Sequence, residues 1–217
     1  MEPEPVRKDP SQFHSVPLSS DEFPREVASV ASDPSQLRRV IVRLTLGTLA
    51  VELILAEGWL RIARGRSVVD LLLQTDNAVP ALVAGLLLAV AIALASRTFF
   101  SHFTPGLIRD LFVPILGHTT LAEIASLSVL PGLGEELLFR GTIQPEIGLI
   151  GASLVFGVLH SGFSRELLPY GAWATVVGAV LGGLYLATGS LWGCIVAHAL
   201  VNAMGALWLR SQAPLAT

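Results

Sequence analysis

Two adjacent acids and an arginine, Glu135, Glu136 and Arg140, sit within Gly134-Glu135-Glu136-Leu137-Leu138-Phe139-Arg140-Gly141, in otherwise apolar sequence. A carboxylate in membrane-grade sequence costs roughly 2.5–3.5 kcal/mol or more unless it is paired or faces water, so each marks a candidate functional site. At about 100° per residue, Glu136 and Arg140 stand one turn apart on one helix face, in the Glu-before-Arg order that favours pairing. Glu135 points about 100° away and has no local partner. A desolvated carboxylate of this kind suits general-base work. The competing reading is a helix end at the membrane interface, with Arg140 snorkelling to headgroups.

Two further polar pairs share that spacing. Phe156 and His160 close the apolar stretch Phe156-Gly157-Val158-Leu159-His160, so the phenyl ring can pack beside the imidazole and orient it. His198 and Asn202 lie one turn apart in the last apolar run. Taken singly, each pair suits hydrogen bonding between membrane helices.

Together, Glu135-Glu136-x-x-x-Arg140, Phe156-x-x-x-His160 and His198-x-x-x-Asn202, in that order on three helices, resemble the three motifs of the CAAX protease and bacteriocin-processing family. This family, also called CPBP or Abi, comprises intramembrane glutamic endopeptidases and includes the CAAX prenyl endopeptidases. All three motifs match without substitution, and the resemblance covers about 120–209. It implies a metal-independent endopeptidase without cofactor, a multi-pass protein of the bacterial inner (plasma) membrane. Its substrate would be a peptide or membrane protein, with or without a lipid modification. Glu135 with His160 would hold and deprotonate a water, and His198 and Asn202 would face the oxyanion. Glu136 and Arg140 would orient the site, with Phe156 in support, although the duties of the two acids are interchangeable on this reading.

Other chemistries have weaker support. Glu135, Glu136, His160 and His198 are acceptable zinc ligands, but no His-Glu-x-x-His run accompanies them. Ser161 points off the face of His160, and Cys194, one turn before His198, reads as packing. A non-enzymatic membrane scaffold or bacteriocin-immunity protein would keep the cluster for structure or partner binding. A proton-coupled transporter would use Glu and His as a relay, but no internal repeat is visible.

The elements that must position these residues are membrane helices. The 217-residue chain is 52% hydrophobic and 14% charged, with a mean hydropathy of +0.64, which excludes an ordinary soluble domain. An all-α, polytopic bundle in a lipid bilayer is expected, with a cavity between its helices. The net charge of −3 comes mainly from the N-terminal region and offers no basic surface, so no nucleic-acid partner is expected. The one cysteine, Cys194, excludes an intramolecular disulfide.

Apolar runs at about 40–60, 79–96, 111–139, 144–160, 172–188 and 190–209 suggest about six transmembrane helices. The third run is long and contains Pro114 and Pro131, so a bent helix or a re-entrant piece plus a span is expected there; the fourth is short. Residues 1–38 carry six of the thirteen prolines and read as a disordered polar tail without signal-peptide character. Residues 39–210 form the transmembrane domain, with the family-like core at about 111–209, and 211–217 form a short C-terminal tail. Arg38, Arg39, Arg97, Arg109, Arg165 and Arg210 fall on one side against Arg61, Arg64, Arg66 and Arg140, which favours an inside N-terminus. Arg43, Glu52 and Glu57 read as snorkelling or pairing with other helices, and Glu123 as a candidate cavity residue. The pairs Gly178/Gly182 and Gly189/Gly193 suggest close helix packing, and Trp192 and Trp208 suggest interface anchors.

Overall fold

The computed structural model describes residues 34–213, in which all regular structure is helical. The elements are α1 (Pro34–Arg64), α2 (Val68–Leu72), α3 (Ala78–Phe103) and a helical connector α4 (105–116) whose centre, Ile108–Phe112, is π-wound. Then follow α5 (Leu121–Leu138), a π turn (Phe139–Ile143), α6 (Gln144–His160), α7 (Leu168–Thr188) and α8 (Leu191–Gln212). The disordered tail expected at 1–38 lies, up to residue 33, outside the described residues; residues 34–38 already belong to α1.

A capping box starts α5: the Thr120 side chain accepts from the Glu123 backbone, and the Glu123 carboxylate accepts from the Thr120 backbone at 2.7 Å. Arg38 also pairs with Glu123, at 3.2 Å. Glu123 is thus a cap and an interhelix tether, and it is not among the residues that line the cavity for which it is a candidate from sequence. From there α5 continues through Pro131, and the irregularities come later, at the π turn and at Gly148.

Gly148 reverses the chain. Its backbone, at φ 76° and ψ 172°, leaves the helical region for one open essentially to glycine alone. Phe139 then meets Phe156 edge-to-face, with centroids 4.9 Å apart, and Glu135 lies near His160, so residues 149–160 run back antiparallel to 121–147. This returning limb is about 12 residues, roughly 18 Å, whereas the outgoing rod is roughly 40 Å.

Among the described residues four helical stretches are long and apolar enough to cross a membrane: Ala78–Phe103, Leu121–His160, Leu168–Thr188 and Leu191–Gln212. They do not confirm the expected count of about six. In α1 the apolar run is interrupted by Arg43, Glu52 and Glu57, and the fourth expected run supplies only the short returning limb, shorter than the roughly 30 Å hydrocarbon core.

The remaining packing holds the rod between helices. Alongside it runs α1, in parallel, tethered by Arg38 to Glu123 at one end and by Arg64 Nη2 to Glu146 at 2.7 Å at the other. The opposite flank is closed by α8, where a Cβ on Gly132 would press on Ala199 at about 3 Å. Gly85 and Gly193 let α3 and α8 approach to backbone contact, since a Cβ on either would collide with the other helix. Of the expected pair Gly189/Gly193, only Gly193 packs; Gly189 ends α7 at φ 68°. Trp192 is likewise a tether, its Nε1 donating to the Leu72 carbonyl at 3.0 Å.

The Gly148 reversal yields a prediction. Gly148→Ala should lower stability by about 1–3 kcal/mol, because a Cβ is strained at that backbone conformation. Denaturant unfolding of the detergent-solubilised protein measures it; a neutral substitution would show that the reversal does not depend on glycine.

Candidate active site

Arg140 is among the fully buried polar side chains. The π turn carries it, and the wider winding there shows in Thr142, whose hydroxyl donates five residues back, to the Leu137 carbonyl, at 3.1 Å. Arg140 Nη1 donates to Glu136 Oε1 at 2.9 Å, the one-turn pair expected from sequence, and Nη2 donates to the Gly178 carbonyl of α7, also at 2.9 Å. Its guanidinium carbon lies 5.0 Å from the Phe156 ring centroid, a cation–π contact. One turn further on, Gln144 repeats the reach, donating to the Gly182 carbonyl at 3.0 Å. The glycine pair Gly178/Gly182 thus exposes backbone acceptors to the π turn and to α6 as well as allowing close packing.

Glu136 has a second partner that its own helix does not reveal. His198 Nδ1 donates to the same Oε1 at 2.7 Å, which joins α5 to α8. That bond fixes the imidazole with its proton on Nδ1 and turns Nε2 toward Glu135, whose Oε2 lies 3.9 Å away. His160 is arranged alike. Its Nδ1 donates to the Phe156 carbonyl at 2.8 Å, its ring stacks at 32° and 4.2 Å on the Phe156 ring, and its Nε2 faces Glu135 Oε2 at 3.7 Å. Both imidazoles therefore spend Nδ1 on structure and present Nε2 to one carboxylate oxygen.

Glu135 Oε2 is buried and accepts no direct hydrogen bond among the described residues. At 3.7 and 3.9 Å the two imidazoles are too far for direct bonds, at a spacing that a water molecule bridges. Among the described residues no group of three His, Cys, Asp or Glu is arranged to hold a metal ion. Donors on one tetrahedral zinc stand about 3.3 Å apart, closer than these.

These residues open on a cavity of about 480 Å³ lined by Glu135, His160, His198 and Asn202 together. Asn202 shares the cavity, and its amide forms no hydrogen bond among the described residues. Glu136 and Arg140 lie behind the wall. From this cluster the cavity extends past Phe100, Phe112 and Trp208 toward the end of the bundle where α8 finishes. Trp208, expected as an interface anchor, is part of this lining.

Cys194 packs as expected, fully buried, with Sγ 3.3 Å from the Leu181 carbonyl. Ser161 turns its hydroxyl to the Val158 carbonyl. Beyond His160, in the exposed loop before α7, the Ser164 hydroxyl donates to Glu166 and holds its carboxyl below the usual carboxylate range.

Three cavity residues escape sequence reading. Tyr170 lies 5.7 Å from His160 between ring centroids, and the buried Ser128 hydroxyl lacks a partner. Neither stands in a patterned pair. Glu52 of α1 is also buried, and it lines a second, smaller cavity that meets Glu135 from the other side. Snorkelling does not describe it.

A family model described as type II CAAX prenyl endopeptidase, Rce1-like, matches residues 117–204, a stretch that holds the whole polar cluster and leaves out α1 to α4. The chain is also similar to the uncharacterized protein YpbD of Bacillus subtilis (strain 168), 32% identical over 130 residues, which are 59% of this chain and 68% of that protein. No solved structure matches it.

The buried charges give the second prediction. Arg140→Met strands the Glu136 carboxylate without its cation and should cost about 3–5 kcal/mol of stability. Adding Glu136→Gln should recover part of that loss in the same unfolding measurement. Equal stability of Arg140→Met and the wild type would show that the pair contributes nothing to folding.

Proposed function

The chain belongs to the Rce1-like family of type II CAAX prenyl endopeptidases, and we propose that it is a glutamic-type, metal-independent intramembrane endopeptidase in which Glu135 and His160 activate a water. A single observation carries the reading: one unpaired carboxylate oxygen faces two imidazole nitrogens at 3.7 and 3.9 Å on the wall of a cavity inside a membrane-type bundle.

The chemistry follows from the protons. His160 Nδ1–H is held by the Phe156 carbonyl, so Nε2 is free to accept from a water that Glu135 also contacts. Glu135 takes that water's proton as its oxygen bonds to the substrate's carbonyl carbon. The carbonyl oxygen then becomes an oxyanion. Asn202 can donate to it through the amide, and His198 through Nε2 when both ring nitrogens carry protons. In that state the charge of His198 rests on Glu136, which Arg140 balances in turn. Collapse breaks the C–N bond, and Glu135 returns its proton to the leaving nitrogen. The duties of the two acids separate on this reading: Glu135 faces the reaction, and Glu136 holds His198 and Arg140.

The aromatic stretch of the cavity suits an apolar part of the substrate, so a peptide segment of a membrane-associated protein, with or without a lipid group, is the proposed substrate class. The protein is multi-pass, and the plasma membrane of a bacterium is its proposed site.

The test uses purified, folded protein in liposomes with fluorogenic peptides, farnesylated and unmodified. Glu135→Gln and His160→Ala should each lower kcat/KM by about 10²–10⁴-fold. Asn202→Ala should lower kcat by about 10²–10³-fold, as expected for loss of an oxyanion donor. Cleavage undiminished in Glu135→Gln would overturn the assignment.

A further inference from the structure

Glu52 is a buried carboxylate that the proposed reaction does not use. It lies on α1, outside the family match, and is 8% exposed. Its carboxylate packs against α5 where Gly134 leaves room: a Cβ on Gly134 would collide with Glu52 Oε2. Among the described residues it has no hydrogen-bond partner and no ion pair. It lines a cavity of about 230 Å³ with Thr45, Thr48 and Glu135. Both threonine hydroxyls donate to carbonyls of their own helix, at 3.0 Å, which leaves their oxygens able to accept from water in that space. Glu135 thus forms part of the wall of both cavities, with the imidazoles in one and Glu52 in the other.

Two carboxylates facing one small cavity, one of them buried to 8% exposure, repel each other, which disfavours the state in which both are charged. The titratable groups acting on Glu52 from elements packed against α1 are Glu135 of α5 and, more distantly, His198 of α8. Arg140 on the π turn is committed to Glu136 and Gly178, Asp70 of α2 to Ser67, and Arg109 of the connector to Asp110. No arginine or lysine is among the residues that line the small cavity; the basic groups nearest the pair are the imidazoles of His160 and His198, which face Glu135 from the larger one.

We infer that Glu52 and Glu135 hold one proton between them across the small cavity, so that Glu52 is a positioning residue that governs when Glu135 is free to act as a base. This rests on the peptidase reading for its consequence, but the shared proton is measurable without catalysis. A carboxyl so placed sees the reaction only through Glu135. Substrate occupies the larger cavity on the far side.

Infrared-detected pH titration of the full chain in detergent, comparing wild type, Glu52→Gln and Glu135→Gln, reads the proton directly. The wild type should retain one protonated carboxyl through neutral pH, and either substitution should abolish that signal. Glu52→Gln is near-isosteric, and an unchanged melting temperature shows that it folds. A protonated-carboxyl signal that persists in Glu52→Gln, or is missing from the wild type, overturns the inference. On a fluorogenic peptide, the acid limb of kcat/KM should move to lower pH by about one unit in Glu52→Gln, since a like-charged neighbour is gone, with KM unchanged. A superimposable profile overturns it too. If Glu135→Gln still cleaves, the peptidase reading fails instead, and the infrared result decides the shared proton alone.

Discussion

One oxygen, Glu136 Oε1, organises the interior. It accepts from Arg140 on its own helical segment and from His198 on α8, while Arg140 reaches on to the Gly178 carbonyl of α7. Three helices are therefore tied at one point in a medium that offers no competing water. The burial of full charges is costly, and the arrangement persists because each charged group meets an opposite charge or a backbone dipole. Directionality is the return on that cost. Leucine contacts alone would hold the helices together but would let them slide, whereas these bonds fix rotation and depth.

The same region sets the orientation of the polar groups that line the larger cavity. Phe156 supplies its carbonyl to His160 and its ring to both the His160 imidazole and the Arg140 guanidinium. The short α6 limb lies close enough for this because Gly157 and Gly171 pack backbone against backbone, and a Cβ on either would collide with the facing helix. Small residues and a charge network thus cooperate: the former permit the approach, and the latter selects one geometry from those it permits.

Much of the site was legible because the helix period is local. Residues four apart share a face whatever the fold, and even the π turn leaves Arg140 within reach of Glu136. The partnership of His198 with Glu136 was not legible, since it depends on how α8 rotates against α5. Glu52 was missed for a like reason: an acid in an apolar run reads as an interfacial group until the facing glycine, Gly134, is seen to receive it. The reversal at Gly148 was not legible either, since this glycine sits in apolar sequence and resembles the other helical glycines around it. Only the backbone shows that the chain turns there.

The shortness of the limb that Gly148 begins has a consequence for the lipid around it. The limb ends at His160 after roughly 18 Å, and the loop that follows exposes Arg165 and Glu166 before α7 resumes. The neighbouring α7 begins at that same level, since Gly171 packs on Gly157 and Ser161, so Arg165 and Glu166 stand at one end of a full-length apolar helix. The limb's shortness thus leaves His160 beside a charged loop at the end of the α7 span, where headgroups and their hydration lie close at hand.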